Sequence, residues 1–194
     1  MPLQNRVDPW GRLHPVEARG AWMGNRGVLH DASKRIVRPW RLKAWIVCRL
    51  EFKGRRRAVF SPGRYSELFF LDEATAFAAG HRPCAECNRA RFNELRQAWA
   101  PGTRAGDIDR ALHEERFVRT YEAALHDLPD AVMVERDGSA HLILGGALLP
   151  WSFAGYGAPV DSRADTRVSV ITPRSMVRAI AHGFKPQIHP SAYG

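Results

Sequence analysis

An α+β fold is predicted by three features of the chain. Short alternating strand runs are separated by turn dipeptides, helical segments are bounded by capping residues and glycines, and a Cys-x-x-Cys knuckle at Cys84 and Cys87 lies between a strand-helix run and a further helix. The predicted arrangement is a zinc-stabilised strand-helix-turn unit in residues 1–100, then a small α+β unit in residues 107–190 with a β-hairpin and a C-terminal helix. The soft boundary falls at Ala100–Gly106. No repeat or low-complexity segment is present, and 194 residues can bury a core of their own, so a metal would act as a local staple.

Residues 1–43 read as irregular, punctuated by Pro2, Pro9, Pro15 and Pro39 and by a Gly-rich turn from Gly20 to Asp31. From Ala44 the pattern changes to strand. AWIVCRLEF alternates, Lys53-Gly54 signals a hairpin, Arg56–Phe60 is the expected return, and Tyr65–Leu71 is a third strand. Asp72 is placed to cap a helix, Glu73 adds negative charge to its first turn, and Gly80 suits a left-handed end. Asn88 starts the next helix, with Phe92, Leu95 and Trp99 on one face. Asp107 is expected to cap a third helix through Phe117, with Leu112 and Phe117 inward and His113, Glu114 and Glu115 outward. Asp137-Gly138 is a type I′ hairpin signal between Ala131–Glu135 and Ala140–Leu144. Ala147–Trp151 and Arg167–Ile171 supply two more strands, and Thr172-Pro173 opens a helix ending near Gly183. The loop Pro150–Gly157, with Trp151, Phe153 and Tyr156, is read as core cover in preference to a stacking surface.

Cys84 and Cys87, two residues apart on a Pro-led turn, can grip one tetrahedral zinc from the same side. Cys48 is the one other cysteine and the natural third ligand, and thiolate ligation makes zinc the first metal to expect. A neutral imidazole is the expected fourth. His30 is the choice because it follows the Gly-rich turn in the same half and leaves enough chain to return to Cys48. His81 and His14 are rivals, and water would complete the tetrahedron if no histidine binds. Three cysteines cannot all pair with one another, and no apolar leader or membrane-length stretch is seen, so a cytoplasmic protein is expected.

Charge is distributed unevenly. Residues 1–100 hold nineteen Lys or Arg against nine acids, while residues 101–194 hold ten against eleven. Within Arg38–Arg57 eight basic residues face Glu51 alone, and Trp40 and Trp45 lie among them. Such a stripe suits phosphate contacts with aromatic faces available for bases. The expected contact set is Arg49, Arg55, Arg56 and Arg57 on the hairpin, with Arg89, Arg91 and Arg96 on the following helix. A basic face that is merely solvated is the plainer alternative.

The run Phe69 to Cys87 also resembles the zinc-binding N-terminal domain of Ada, the bacterial adaptive-response DNA repair protein. The matching residues are Phe69 and Phe70, the segment Glu73–Ala79, Gly80, and Arg82, Pro83, Cys84 and Cys87, with a looser likeness over residues 47–93. The resemblance implies a zinc site, and for the family it implies methyl transfer from alkylated DNA to a zinc thiolate. Two departures stand out: the family carries two cysteines ahead of this strand where this chain has Cys48 alone, and His81 occupies a position usually aromatic, which suggests packing. The reading that emerges is a zinc protein that binds nucleic acid, DNA before RNA, through an Arg-rich hairpin. Two alternatives stay open. One is a zinc-dependent DNA-modifying or repair enzyme, either a methyl acceptor at Cys48 or a nuclease using His30-Asp31 or His113-Glu114, and the other is a protein-interaction module.

Overall fold

The computed structural model describes residues 1–54, 58–118, 120–160, 163 and 165–194. The chain opens with β1 (Arg6–Val7), β2 (Leu13–His14), β3 (Trp22–Asn25), β4 (Ile46–Cys48) and β5 (Leu68–Phe70), then α1 (Glu73–Ala78) and β6 (Arg82–Pro83). These strands form one sheet in the order β2-β1-β5-β3-β4-β6. β3 runs antiparallel to β4 and β5, whereas β6 lies parallel to β4 at the edge.

The Gly-rich segment expected to be a turn therefore contributes a central strand. Gly24 explains why: a Cβ there would stand 2.3 Å from the Ile46 carbonyl oxygen and 2.9 Å from Phe70 Cε2. Only a residue without a side chain lets β3 fit between its neighbours. The strand expected from Ala44 is confined to Ile46–Cys48. Lys53 and Gly54 do turn with positive φ, 52° and 64°, but Ala58–Phe60 are not extended. Phe60 adopts φ 58° and its N–H donates to Glu67 Oε2. With that donor taken locally, β4 pairs with β3 and β6 instead of with a hairpin return. Arg55, Arg56 and Arg57 lie outside the described residues.

Helix α1 is set by its ends. Asp72 Oδ1 accepts from Thr75 N–H and Thr75 Oγ1, and Gly80, at φ 77°, lets the His81 N–H reach back to the Ala76 carbonyl. All six helical residues are buried. Next come α2 (Arg89–Trp99) and α3 (Ala105–Glu115). Asp107 falls inside α3, where its carboxylate accepts from the Arg104 N–H. The helix ends two residues before Phe117, which is 61 % exposed, not inward as expected.

The second sheet comprises β7 (Tyr121–Ala124), β8 (Met133–Arg136), β9 (Ser139–Leu144), β10 (Ala147–Ser152), β11 (Gly155–Tyr156) and β12 (Arg167–Val170), followed by α4 (Arg174–Ala181). Its order is β11-β10-β9-β8-β12-β7. Asp137 and Gly138 both have positive φ, as a type I′ turn demands, and β7 is a strand the sequence pattern did not announce. One apolar cluster joins Val7, Leu68 and Phe77 to Leu95 and Leu112 and onward to Val134, Val168 and Met176, so both sheets and the helices share packing. The Trp151–Tyr156 loop folds back over α1: Trp151 Nε1 donates to Thr75 Oγ1 at 3.0 Å, and the Tyr156 hydroxyl donates to Asp72 Oδ2 at 2.8 Å. Among the described residues no helix is long and apolar enough to cross a membrane.

Candidate metal centre

The cysteines are brought together by the register of β4 and β6. Val47 stands opposite Pro83, the Arg82 N–H donates to the Trp45 carbonyl at 3.0 Å, and the Cys84 N–H donates to the Val47 carbonyl at 2.9 Å. Pro83 has no N–H to give, and in the edge strand none is required of it. This short ladder carries Cys84 alongside Cys48 at the end of β4. The knuckle then turns: the Glu86 N–H points to Cys84 Sγ at 3.4 Å, and the Asn88 N–H donates to the Cys84 carbonyl at 3.1 Å. Cys87 is returned to the same spot, and the three sulfurs lie within 4.8 Å of one another.

Arg82 fixes the knuckle from behind. Its guanidinium makes a two-pronged pair with Asp109 of α3 at 2.8 and 2.9 Å, and both side chains are largely buried. The strand carrying Cys84 is thus clamped to a helix from the next segment.

The donor set fits a soft, thiophilic cation. Four ligands at about 2.3 Å around zinc stand about 3.8 Å apart, within the span the three sulfurs occupy. The thiols are electrostatically linked. Hydrogen bonds to Cys84 and Cys87, together with burial, push the Cys48 thiol up, while the bond from Cys48 and then that from Cys87 pull Cys84 far down. Cys87 is raised overall: the bond with Cys48 lowers it, but Cys84 and burial outweigh that. A cation at the centre of the three sulfurs would favour the ionised form of each.

Asn88, next in the chain to Cys87, adds a second indication that the sequence did not offer. Its side chain is buried, yet neither amide atom has a hydrogen-bond partner among the described residues. Buried amides are ordinarily satisfied. In the sequence Asn88 reads as a helix start, but its side chain makes no capping bond.

Among the described residues no histidine, aspartate or glutamate joins the sulfur group. His30 is held elsewhere: its ring stacks on Phe60 with centroids 4.6 Å apart, and its Nδ1 meets Ser66 Oγ at 2.6 Å. That position follows from β3, because Met23 faces Cys48 while His30 lies beyond Asn25, at the other end of the strand. His81 is buried against Phe70 and Trp45 and accepts from Arg26 Nε, and His14 pairs with Asp8. His81 does occupy an aromatic environment.

The arginines divide. Arg91 is paired with the fully buried Glu73 at 2.7 Å and also with Glu94, and lies over the Phe184 ring. Arg96 donates to the Thr103 carbonyl and lies over Phe92. Both brace the fold. Arg49 and Arg89 are exposed, flank Cys48 and Cys87 in the chain, and make no ion pair among the described residues. Comparison of the chain with protein-family models, with curated proteins and with solved structures finds no match.

Proposed function

We propose that the chain holds one zinc ion through Cys48, Cys84 and Cys87 and binds nucleic acid, DNA before RNA, on the arginine-rich surface around that site. The observation that carries the reading is the convergence of three sulfurs near in sequence to two exposed arginines, Arg49 and Arg89, that make no ion pair among the described residues. When bound, zinc would keep the thiolates deprotonated and tie β4 to the knuckle. Arg49 and Arg89 would then stand on ordered backbone and meet phosphates without each contact having to order a loop. Arg55, Arg56 and Arg57, adjoining in sequence, extend the same contact set. Reduced thiols fit a reducing compartment, which supports a cytoplasmic site of action.

The test is a mobility-shift series over salt with duplex and single-stranded DNA and with RNA. Loss of two phosphate contacts in Arg49→Ala/Arg89→Ala protein is expected to weaken duplex binding regardless of sequence and to flatten the slope of log K against log salt by about 1.8. Unchanged affinity and slope would remove these residues from the interface.

The three-sulfur count favours a second reading. With no fourth protein ligand in the described cluster, solvent or an incoming group would have room at the ion, as a zinc-dependent DNA-modifying enzyme with an open position would use. Transfer of one methyl from a DNA methyl phosphotriester to the Cys48 sulfur would leave the phosphodiester anion and raise the intact mass by one methylene. No mass change after incubation with such DNA would exclude acceptor chemistry.

A further inference from the structure

Away from the three sulfurs, with which it shares no residue, a cavity of about 540 Å³ opens between the first sheet, the end of α3 and the start of α4. Its size falls within the range of small-molecule sites. Arg26, Arg116 and Arg174 all line it, from segments far apart in sequence.

Arg26 is 1 % exposed. It donates to His81 and to the Gly11 carbonyl, but Nη2 has no partner among the described residues. Its guanidinium lies 3.8 Å from the centre of the Trp45 ring, and that of Arg116 lies 4.2 Å from the same ring. Arg116 donates to the carbonyls of Gly80 and Lys43. Arg174 is exposed, with its guanidinium 3.6 Å over Tyr121. Among the described residues none of the three has a carboxylate within ion-pair distance. The acids nearest the trio are engaged elsewhere: Glu115, in the cavity wall, accepts from the Ser175 N–H and Oγ, Asp8 is bound to His14 and the Arg12 N–H, and Asp109, whose charge favours the ionised Arg116, is paired with Arg82. Burial, then repulsion from Arg116, brings Arg26 down to about 9 against a smaller pull from Asp8, and burial brings Arg116 down to about 9 with Asp109 opposing it.

Arg26 is buried, Arg116 half-buried and Arg174 exposed, and together they outnumber Glu115, the one carboxylate among the described lining residues, so buried positive charge is left in excess at a cost. A carboxylate supplies one negative charge, which leaves the trio in excess. A phosphate monoester carries between one and two and offers three acceptor oxygens, a better match to several guanidinium forks. The remaining wall is aromatic and apolar: Trp10, Trp40 and Tyr121 line it together with Trp45. Flat rings suit such walls.

We propose that this cavity binds a nucleoside monophosphate unit, its phosphate held by Arg116 and Arg174 in the field of Arg26 and its base against the aromatic wall. Two sources present that chemistry, a free mononucleotide and the 5′-phosphorylated end of a strand. The site does not depend on nucleic-acid binding beside the cysteines.

Calorimetric titration of the full chain with AMP, with adenosine, and with a short oligonucleotide bearing either a 5′-phosphate or a 5′-hydroxyl tests this. Saturable binding is expected for AMP or for the phosphorylated strand, with at least about a tenfold loss when the phosphate is absent. The two phosphorylated arms identify the source. Arg174→Glu is expected to weaken binding at least about tenfold with little change in thermal midpoint, since Arg174 is exposed and makes no ion pair among the described residues. The proposal is overturned if neither phosphorylated probe binds at about 1 mM, if adenosine binds as well as AMP, or if Arg174→Glu protein binds like wild type.

Discussion

Removing the carboxylate of Asp109 is expected to be among the most damaging single changes for the basic half of the molecule, although Asp109 itself lies beyond it. Arg82 and Asp109 have side chains 7 % and 13 % exposed and meet through two near-parallel bonds of 2.8 and 2.9 Å. In Asp109→Ala protein the guanidinium would keep only its 3.1 Å bond to the Pro83 carbonyl and its position 5.2 Å from the centre of the Phe92 ring. A buried charge stripped of its partner typically costs about 3–5 kcal/mol, in line with the attraction of about 4 kcal/mol between unit charges about 4 Å apart at an effective dielectric near 20. The expected loss in unfolding free energy is therefore about 3–4 kcal/mol, measured by urea denaturation with the metal content held constant. Replacing both partners, Arg82→Met with Asp109→Leu, should bring stability back to within about 1 kcal/mol of wild type, because no orphaned charge remains. A single variant less than about 1 kcal/mol below wild type would refute the claim that the pair clamps the knuckle.

Other consequences are equally direct. Gly80→Ala would put a Cβ 2.6 Å from Arg116 Cγ on a backbone at φ 77°, so a loss of about 2–3 kcal/mol is expected in chemical denaturation. Tyr156→Phe removes the hydroxyl that donates to Asp72 Oδ2 and should cost about 1.5 kcal/mol by the same assay. Burial, partly offset by Arg91, holds the Glu73 carboxyl above its ordinary 4.5, so the native state keeps that proton to higher pH than the unfolded chain. The ionised group thus lowers stability above its native value, and the penalty is relieved as pH falls toward 4.5. The unfolding free energy of wild type minus that of Glu73→Gln should accordingly decrease as pH rises through this window. An increase would contradict the sign.

Several local features were legible in the sequence because local chemistry decides them. The Asp72 cap, the left-handed Gly80 and the Asp137-Gly138 turn each fall where the residue type requires. The convergence of Cys48 with Cys84 and Cys87 was legible too, since a strand, a short helix and a Pro-led turn leave few other places for the knuckle. What escaped depends on neighbours distant in sequence. His30 looked available as a ligand, but a strand from the Gly-rich segment carries it to the far end and onto Phe60. Arg91 looked like a surface charge, but Glu73, eighteen positions earlier, is buried beneath it. The cavity was invisible for the same reason: Arg26 and Arg116 are brought to one indole only by the assembled fold.

Metal analysis of the purified chain, joined to X-ray absorption at the zinc edge, tests the three-sulfur centre most directly. One zinc per chain is expected, with three sulfurs at about 2.3 Å and one lighter donor, and Cys48→Ser should reduce the sulfur count to two. A chain that takes up no stoichiometric metal under reducing conditions, or a zinc shell unchanged by Cys48→Ser, would contradict it.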